Sequence, residues 1–314
     1  MAEDVIPAEP LFTEELPPDH RSGFVALVGK PNVGKSTLLN AWLGTKIAAV
    51  SPKPQTTRNA LLGILTRPDA QIIFIDTPGI HRPRTKLGEY MVREAERAIP
   101  DADLVLFMVD ASREPSEEDR QAAEVLAKRG ETPTLLVLNK ADLMSEVERE
   151  ARRLAYEQLT SFDASLYISA LMGHNLDRLL DELLQRLPLG PRFYPADQLT
   201  DQQERFVAAE LIREQVLHFL QQEVPHAIAV GIHEFNERPN GVLYIAAYIY
   251  TERESQKGIV IGRGGQMLKR IGREARASLE ASFGCRVYLE LWVKVRKNWR
   301  RSERELRRLG YALR

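Results

Sequence analysis

Short apolar runs separated by longer polar and amphipathic stretches dominate the first part of the chain. These runs occupy residues 24–28, 71–75, 104–109, 134–138 and 166–169. Continuous apolar runs of this length are typical of parallel strands that are buried on both faces. Most of the stretches between them are long enough for crossover helices. The pattern predicts a doubly wound α/β domain whose ligands bind at the carboxyl ends of the strands.

The pattern changes in the last third of the chain, where apolar and polar residues alternate. A helix is predicted at residues 203–221, and alternating strands are predicted at residues 227–235 and 242–251 on either side of a turn. Two further helices and a strand at residues 287–295 follow. Alternation with a period of two indicates a sheet with one buried face. This order, α-β-β-α-α-β, predicts a separate α+β domain.

A segment rich in proline and glycine separates the two patterns. Residues 188–200 contain this cluster, which predicts a linker with limited freedom. We therefore expect a first domain at residues 21–187 and a second domain at residues 201–314. The acidic, proline-rich residues 1–20 predict a flexible extension and not a signal peptide.

Charge is distributed unevenly between these two parts. The chain has 314 residues and a net charge of −1, but residues 1–200 hold 23 Lys and Arg against 30 Asp and Glu, whereas residues 201–314 hold 20 against 14. From Gln256 onward the count is 16 against 5. Such local basic density is typical of nucleic-acid binding, although a solvated, charge-rich surface would give the same count.

Two further features bear on location. No apolar run approaches the ~20 residues that a membrane-spanning helix needs. The single cysteine, Cys285, cannot form an internal disulfide, which fits a reducing compartment. These features lead us to expect a cytoplasmic protein.

The first predicted strand is followed by a phosphate-binding motif. Residues 29–36 match GxxxxGK[ST] at all four fixed positions and precede a predicted helix. Backbone N–H groups and the helix N-terminus can surround a phosphate there. Lys35 can add charge to the β- and γ-phosphates, and the Ser36 hydroxyl can ligate Mg²⁺. The phosphate contacts are predicted at Asn32, Val33, Gly34, Lys35, Ser36 and Thr37.

The second predicted strand ends in the sequence Asp-Thr-Pro-Gly. The Asp76 carboxylate can hold a water molecule bound to Mg²⁺, and the Gly79 backbone N–H can reach a γ-phosphate. Such a tetrapeptide is usually an ordinary turn. Its place after a phosphate loop and a strand favours a sensor of the nucleotide state.

Two later loops carry residues that distinguish guanine from adenine. Asp142 can accept hydrogen bonds from guanine N1–H and N2–H₂, and adenine would leave this carboxylate unpaired. Asn139 can join this loop to the phosphate loop, and the Lys140 stem can cover a face of the base. After the last strand, Ala170 N–H can reach guanine O6. The sequence Ser169, Ala170, Leu171 forms this last part of the predicted site.

In this order the motifs resemble those of the translation-factor-related GTPases. The resemblance implies a first switch at residues 55–58, with Thr57 as a ligand of Mg²⁺ and the γ-phosphate; adjacent Thr56 is the alternative. Ile80 stands where Ras-type GTPases have the glutamine that orients water. The resemblance also implies that Asn32 helps to bind K⁺, so we expect slow, K⁺-assisted hydrolysis. The expected catalytic residues are Asn32, Lys35, Thr57 and Gly79.

The second domain resembles a type II KH domain, in which a GxxG loop clamps single-stranded RNA. Glycines let a phosphate approach the main chain, and the next helix presents its N-terminus. One apolar face is predicted on that helix, with positive charge on the loop and the remaining faces. The predicted RNA contacts are Ile261, Gly262, Arg263, Gly264, Gly265, Lys269, Arg270 and Arg273.

Both domains together resemble the Era family of bacterial GTPases over nearly the whole chain. The resemblance includes QTTR at residues 55–58, GIVIGRGG at 258–265 and WVKVRKNWR at 292–300. It implies binding to the 3′ end of 16S ribosomal RNA during maturation of the small (30S) ribosomal subunit, with GTP and GDP states changing access to RNA. It also implies peripheral association with the inner face of the cell membrane. We expect the protein to be a monomer.

Two other functions fit parts of the sequence. A GTPase acting on another RNA, such as tRNA, would share the first domain but should carry a modification module, and none is visible. An RNA-binding protein with a degenerate nucleotide domain would lack some phosphate or base contacts. Every expected contact residue is present here.

Overall fold

The computed structural model describes residues 16–53, 55–127, 130–221 and 223–311. Residues 1–15 of the predicted N-terminal extension fall outside these ranges, as do the last three residues. Within the extension, His20 is buried and its Nδ1 lies 2.7 Å from Gly190 O, so the first domain begins slightly earlier than predicted. The strands are β1 (Arg21–Val28), β2 (Leu61–Thr66), β3 (Ala70–Asp76), β4 (Leu104–Asp110), β5 (Thr134–Asn139), β6 (Ala164–Tyr167), β7 (Ala229–Glu237), β8 (Leu243–Thr251) and β9 (Val287–Val295). The helices are α1 (Lys35–Leu43), α2 (Lys86–Ala98), α3 (Glu117–Leu126), α4 (Glu146–Glu157), α5 (Leu176–Leu184), α6 (Glu204–Phe219), α7 (Glu254–Ile261), α8 (Gln266–Phe283) and α9 (Glu303–Arg308).

The first domain is built on a six-stranded sheet in the order β2-β3-β1-β4-β5-β6. All neighbouring strands are parallel except β2, which runs antiparallel to β3. Strands β3, β4 and β5 are buried along their whole length, because apolar clusters lie on both faces of the sheet. The predicted doubly wound α/β class is confirmed.

Strand β2 was not predicted from the sequence. Gly63 interrupts its apolar run, and a side chain at that position would meet Leu39 Cδ1 of α1 at 2.5 Å. The glycine therefore allows α1 to approach β2 closely. In the sequence alone, a glycine at this position is easily taken for a turn, which is why the strand was not predicted.

The last strand of the first domain begins and ends earlier than predicted. Strand β6 spans Ala164–Tyr167, whereas the apolar run suggested residues 166–169. It lies at the edge of the sheet, where only one neighbour sets its length. Ser169 lies beyond the strand and forms an isolated antiparallel bridge with His174. This places Ser169 in a loop at the carboxyl end of the sheet.

The second domain has a three-stranded sheet in the order β7-β8-β9. Strand β7 is antiparallel to β8, and β8 is parallel to β9. Helices α6 and α8 pack on one face, with Ile271, Ala275 and Leu279 of α8 fully buried. The predicted order α-β-β-α-α-β is confirmed. Residues 258–261, the first half of the GIVIGRGG sequence, belong to α7.

The linker lies against the first domain. Gln71 donates to Tyr194 O at 2.8 Å, and its side-chain oxygen accepts from the N–H groups of Phe193 and Tyr194. Further along, Ile64 N–H donates to Leu199 O at 2.8 Å. These bonds hold the linker along the sheet as far as Thr200, whose hydroxyl donates to Leu62 O.

Candidate nucleotide site and nucleic-acid cleft

The loops at the carboxyl ends of the parallel strands surround a cavity of about 900 Å³. The cavity is lined by thirteen of the predicted nucleotide-site residues: Asn32, Gly34, Lys35, Ser36, Thr37, Thr57, Gly79, Asn139, Lys140, Asp142, Ser169, Ala170 and Leu171. Two predicted residues do not line it. The Val33 side chain is in the core, so this residue offers only its backbone, and Asp76 is fully buried.

Two glycines give the phosphate loop its shape. Gly29 has φ +152°, and a side chain there would meet Met108 O at 2.2 Å. Gly34 has φ +106°, and a side chain there would meet Asn139 Nδ2 at 2.2 Å. Both positions therefore exclude a Cβ atom on packing grounds as well as conformational ones. The loop leads directly into α1, whose N-terminal N–H groups point towards an anion.

Lys35 is buried at the centre of the loop. Its ammonium donates to Gly29 O at 3.2 Å and to Lys30 O at 3.0 Å. Burial lowers the pKa of Lys35 to about 8, while the nearby Asp76 carboxylate opposes this shift. A phosphate anion would favour the charged ammonium in the same way that Asp76 does.

Three side-chain oxygens, from Ser36, Thr57 and Asp76, converge at the base of α1. Ser36 Oγ donates to Asp76 Oδ2 at 2.5 Å and lies 2.8 Å from Thr57 Oγ1. Asp76 Oδ1 is buried without a hydrogen-bond partner among the described residues. Burial raises the pKa of Asp76 to about 6, against the opposing effects of Lys35, Ser36 and Thr57. A buried carboxylate with a free oxygen beside two hydroxyls suits a hard cation such as Mg²⁺.

The structure distinguishes the two adjacent threonines of the first switch. Thr57 directs its hydroxyl to Ser36, whereas Thr56 donates to Lys53 O at 2.6 Å. Thr56 is buried and its side chain stabilises its own loop. This geometry favours Thr57 over Thr56 as the cation ligand.

Asn32 and Gly79 lie at the mouth of the phosphate loop. Asn32 has φ 64° and its Nδ2 donates to Pro52 O at 2.9 Å, which joins the loop to the segment before the first switch. A side chain on Gly79 would meet Pro31 N at 2.5 Å, so this backbone passes directly over the loop. Ile80 is buried in the apolar core, away from the cavity.

A contact between the first switch and the loop that follows β3 was not predicted from the sequence. Gln55 Nε2 lies 3.0 Å from His81 Nε2, and His81 Nδ1 lies 2.9 Å from Gly79 O. Both side chains line the cavity. Gln55 begins the predicted first switch, but His81 belongs to no predicted motif, and only the folded loops bring the two side chains together.

Asn139 connects the base-binding loops with the phosphate loop. Its Nδ2 donates to Val33 O at 2.7 Å, and its Oδ1 accepts from Ala170 N–H at 2.9 Å. The Ala170 N–H, expected from the sequence to reach guanine O6, is therefore engaged by Asn139. Ser169 Oγ accepts from Met172 N–H at 3.1 Å and shapes the same loop, on which Leu171 is exposed.

An ion pair orients Lys140 across the base pocket. Lys140 Nζ lies 2.6 Å from Asp110 Oδ2, and Asp110 also accepts from Ser112. Although burial raises the pKa of Asp110, the bonds from Lys140 and Ser112 lower it overall. Asp142 is exposed at the cavity edge, where its carboxylate can meet a base. Asp110 was missed from the sequence, although a carboxylate at the end of a buried strand is a usable signal.

A second cavity of about 850 Å³ lies between α8 and β9. Four predicted RNA contacts line it: Gly265, Lys269, Arg270 and Arg273. The structure adds Arg276 from α8 and Tyr288, Leu289 and Leu291 from β9. A basic helix therefore faces an aromatic and apolar strand, an arrangement suited to stacked bases and their phosphates.

The glycine loop closes one end of this cleft. Gly262 has φ 72°, and a side chain there would meet Met267 Cβ at 2.6 Å. Gly264 and Gly265 also have positive φ but face open space. Arg263 is exposed beside them, whereas the Arg270 guanidinium packs 4.5 Å from the Phe219 ring centroid. The loop thus combines an exposed backbone with the N-terminus of α8.

The fold and the first cavity define a P-loop GTPase joined to a KH domain. Residues 24–140 match the protein family described as 50S ribosome-binding GTPase, and residues 223–300 match the family described as KH domain. The chain is 49% identical over 295 residues to GTPase Era of Thermoanaerobacter sp. (strain X514), covering 94% of this chain and 97% of that protein. It is 50% identical over 294 residues to GTPase Era of Caldicellulosiruptor saccharolyticus, covering 93% and 98%. The chain belongs to the Era family of GTPases.

Solved Era structures have the same fold over nearly their whole length. A variant of Aquifex aeolicus Era bound to GDP and AlF₄⁻ has a TM-score of 0.89 and 42% identity, covering 93% of this chain and 100% of that one. Era in complex with MgGDPNP and nucleotides 1506–1542 of 16S ribosomal RNA has a TM-score of 0.88 and 42% identity, covering 94% and 100%. This chain is accordingly a GTPase that uses GTP, GDP and Mg²⁺. In the described part of the chain, no helix is long and apolar enough to cross a membrane.

Proposed function

We propose that this chain is a slow GTP-driven switch that binds 16S ribosomal RNA near its 3′ end and assists maturation of the small ribosomal subunit. The observation that carries this proposal is the presence, in one chain, of a complete guanine-nucleotide site and a basic KH cleft. The similar Era structure holds MgGDPNP together with nucleotides 1506–1542 of 16S ribosomal RNA.

The cleft supports binding of a single strand better than binding of a duplex. Its floor is made by Leu289 and Leu291, which suit the faces of unstacked bases, and Tyr288 contributes to the lining from the same strand. Its helical wall carries Lys269, Arg273 and further cations for the phosphates. The family described as 50S ribosome-binding GTPase matches residues 24–140 only. That match does not include the cleft, so the description does not bear on the RNA that the cleft binds.

The residues that line the nucleotide cavity keep their predicted roles in this proposal, except that the Ala170 N–H is already bonded to Asn139 Oδ1. Ser36 and Thr57 would hold Mg²⁺ directly and Asp76 through a water molecule; the ion would supply positive charge between the β- and γ-phosphates. Lys35 binds those phosphates, and Gly79 N–H senses the γ-phosphate. Asp142 binds the guanine base and the Lys140 stem covers one face of it, while Asn139 ties this loop to the phosphate loop and to the loop at residues 169–171.

Potassium-assisted hydrolysis is also part of the proposal. Ile80 is buried and cannot orient a water molecule, so positive charge must come from elsewhere. Asn32 lies in the phosphate loop, and its Nδ2 faces Pro52 O. If the side-chain amide flips by 180°, its Oδ1 takes the place of Nδ2 and can ligate a monovalent cation there. Such an ion would stabilise the charge that develops on the phosphates.

The proposal places the protein in the cytoplasm, because its RNA target lies in the ribosome, and treats it as a monomer. The proposed division is a GTPase domain at residues 21–187, a linker at 188–200 and a KH domain at 201–314. Peripheral contact with the membrane would be a secondary property, for which vesicle sedimentation is the direct measurement.

Replacing Gly262 and Gly265 by Asp tests the RNA-binding proposal. Two carboxylates in the loop would repel phosphates, and their side chains would block the close approach of a phosphate to the main chain. Affinity for a 16S fragment of nucleotides 1506–1542 should therefore fall at least ~100-fold. GTP affinity should stay unchanged. The matched control is Gly241→Asp, since Gly241 also has positive φ in the same domain but lies in an exposed turn.

Sequencing of RNA crosslinked to the protein identifies the target in cells. Enrichment of the 16S 3′ end in the wild type, lost in the double variant, is the expected result. Enrichment of tRNA or of 23S RNA instead would contradict the proposed target while leaving the KH cleft intact as an RNA site.

A further inference from the structure

The KH domain contacts the first switch of the GTPase domain through a buried arginine. Arg213 lies on α6 and is 1% exposed. Its Nη2 donates to Thr56 O and to Glu210, and its Nε donates to Glu210 Oε1 at 2.8 Å. The carbonyl that it holds belongs to the residue before Thr57. The Arg213 guanidinium of the KH domain therefore holds the backbone of the first switch at Thr56.

A second arginine fixes the other side of Thr57. Arg58 is 2% exposed, and its Nη1 donates to Ile228 O of the KH domain at 2.6 Å. Its guanidinium lies 5.5 Å from the Trp299 ring centroid and 5.9 Å from that of Tyr311. Both aromatic residues belong to the C-terminal part of the chain. The first switch is thus held by the KH domain at the residues that immediately precede and follow Thr57.

These contacts exist in a structure where Thr57 faces the cation site. Thr57 Oγ1 lies 2.8 Å from Ser36 Oγ, while Thr56 is turned away towards Lys53. A peptide plane held at Thr56 O restricts the backbone dihedral angles of the next residue. Rotation of Thr57 out of the site would therefore require the Arg213 bond to break or the whole KH domain to move.

We propose that Arg213 is a positioning residue for the GTPase site, acting through Thr56 to hold Thr57 at Mg²⁺ when the γ-phosphate is present. The inference rests on the proposed role of Thr57. It assigns to one residue of the KH domain a specific effect on the GTP state, because GDP binding does not require the first switch to be closed over the cation.

The same helix connects this contact to the RNA cleft. Helix α6 packs against α8, and Gln215 Nε2 of α6 lies 3.2 Å from Ser278 Oγ of α8. Lys46, before the first switch, forms an ion pair of 2.6 Å with Glu214 of α6, and its carbonyl accepts from Ser282 of α8. The helix that lines the RNA cleft is therefore coupled to the switch through a short chain of contacts.

Reciprocity then sets the expected coupling. If RNA binding stabilises the arrangement in which Arg213 reaches Thr56, it raises GTP affinity, and GTP raises RNA affinity by the same factor. GDP, which does not need the closed switch, has no such effect.

Replacing Arg213 by Gln tests the inference. Loss of the charged donor should lower Mg²⁺-dependent GTPγS affinity about tenfold, as expected for one charge-assisted hydrogen bond, and leave GDP affinity within about twofold. The matched control is Arg205→Gln, an exposed arginine on the same helix. Arg213→Lys keeps the charge beside Glu210 without the planar fork and should give an intermediate value. If Arg213→Gln does not fold, Arg213→Lys alone tests the inference by the same measurement.

RNA affinity supplies an independent readout. With the 1506–1542 fragment, the wild type should bind RNA more tightly with GTPγS than with GDP, and Arg213→Gln should remove this difference while keeping the affinity measured with GDP. Unchanged GTPγS affinity in a folded Arg213→Gln variant, or equal losses for GTPγS and GDP, would overturn the inference.

A Thr57→Ala variant separates this inference from the proposed function. If Thr57→Ala loses Mg²⁺-dependent GTPγS affinity and Arg213→Gln does not, only the role of Arg213 is wrong. If Thr57→Ala has no effect, the assignment of Thr57 itself is wrong, and the inference falls with it.

Discussion

At the scale of single residues, the base pocket depends on one exposed carboxylate. Asp142 is exposed at the edge of the cavity, while its neighbours Asn139 and Lys140 are held by Val33 O and Asp110. The scaffold of the loop therefore does not depend on Asp142. This separation allows specificity to be changed without loss of the fold.

Replacing Asp142 by Asn should convert a guanine site into a xanthine site. The Asn amide would face guanine N1–H and N2–H₂ with a donor, whereas xanthine offers a carbonyl at that position. GTP affinity should fall by about 100-fold or more, and XTP affinity should rise, in competition with a fluorescent nucleotide. Asp177→Asn changes an exposed carboxylate outside the cavity and should leave both values unchanged. Retained GTP preference in Asp142→Asn would contradict the base-reading role.

Asn32 gives a second prediction at this scale. Hydrolysis by the wild type should be about tenfold faster in K⁺ than in Na⁺, equivalent to ~1.4 kcal/mol of transition-state stabilisation. Asn32→Ala should bring this ratio close to one by slowing the reaction in K⁺, measured as single-turnover phosphate release at equal ionic strength. The control is Asn236→Ala on the KH sheet. Equal wild-type rates in the two salts would rule out the potassium site.

At the scale of elements, long and strongly patterned segments were predicted closely from the sequence. Strands β4 and β5 extend one residue beyond the predicted runs, and β9 agrees at both ends. Strands β4 and β5 are central in the sheet and β9 alternates strongly, so in each of them the apolar residues of the predicted pattern are those that become buried or half-buried. The edge strands β2 and β6 were missed or displaced, because one neighbour and a close helix decide their limits. Local pattern does not contain that information.

At the scale of the whole molecule, charge is concentrated where the RNA cleft lies. The C-terminal part from Gln256 carries 16 basic against 5 acidic residues, and exposed cations of α8 line one wall of the cleft. Helix α8 also contacts the segment before the first switch, because Ser282 Oγ donates to Lys46 O. The electrostatic term of RNA binding therefore belongs to the second domain.

Salt dependence tests this distribution of charge. If Lys269, Arg270, Arg273 and Arg276 each neutralise one phosphate, log affinity for a single strand should fall with log salt concentration with a slope of about −3. Lys269→Ala should make the slope shallower by ~0.7, since one fewer counterion is released. Glu274→Ala, on the same helix, should not reduce the slope. A slope near zero would contradict phosphate contacts by α8.

The sequence by itself determined the nucleotide motifs, the order of elements in both domains and the family, because these follow from local spacing and from residue types with one chemical use. Only the tertiary structure decided which threonine faces Ser36, that Asp110 holds Lys140, and that Gln55 meets His81. It also decided that Arg213 holds Thr56 O, a contact between residues 157 positions apart. Such contacts depend on how separate loops and domains pack against each other, and a local sequence pattern contains no information on that packing.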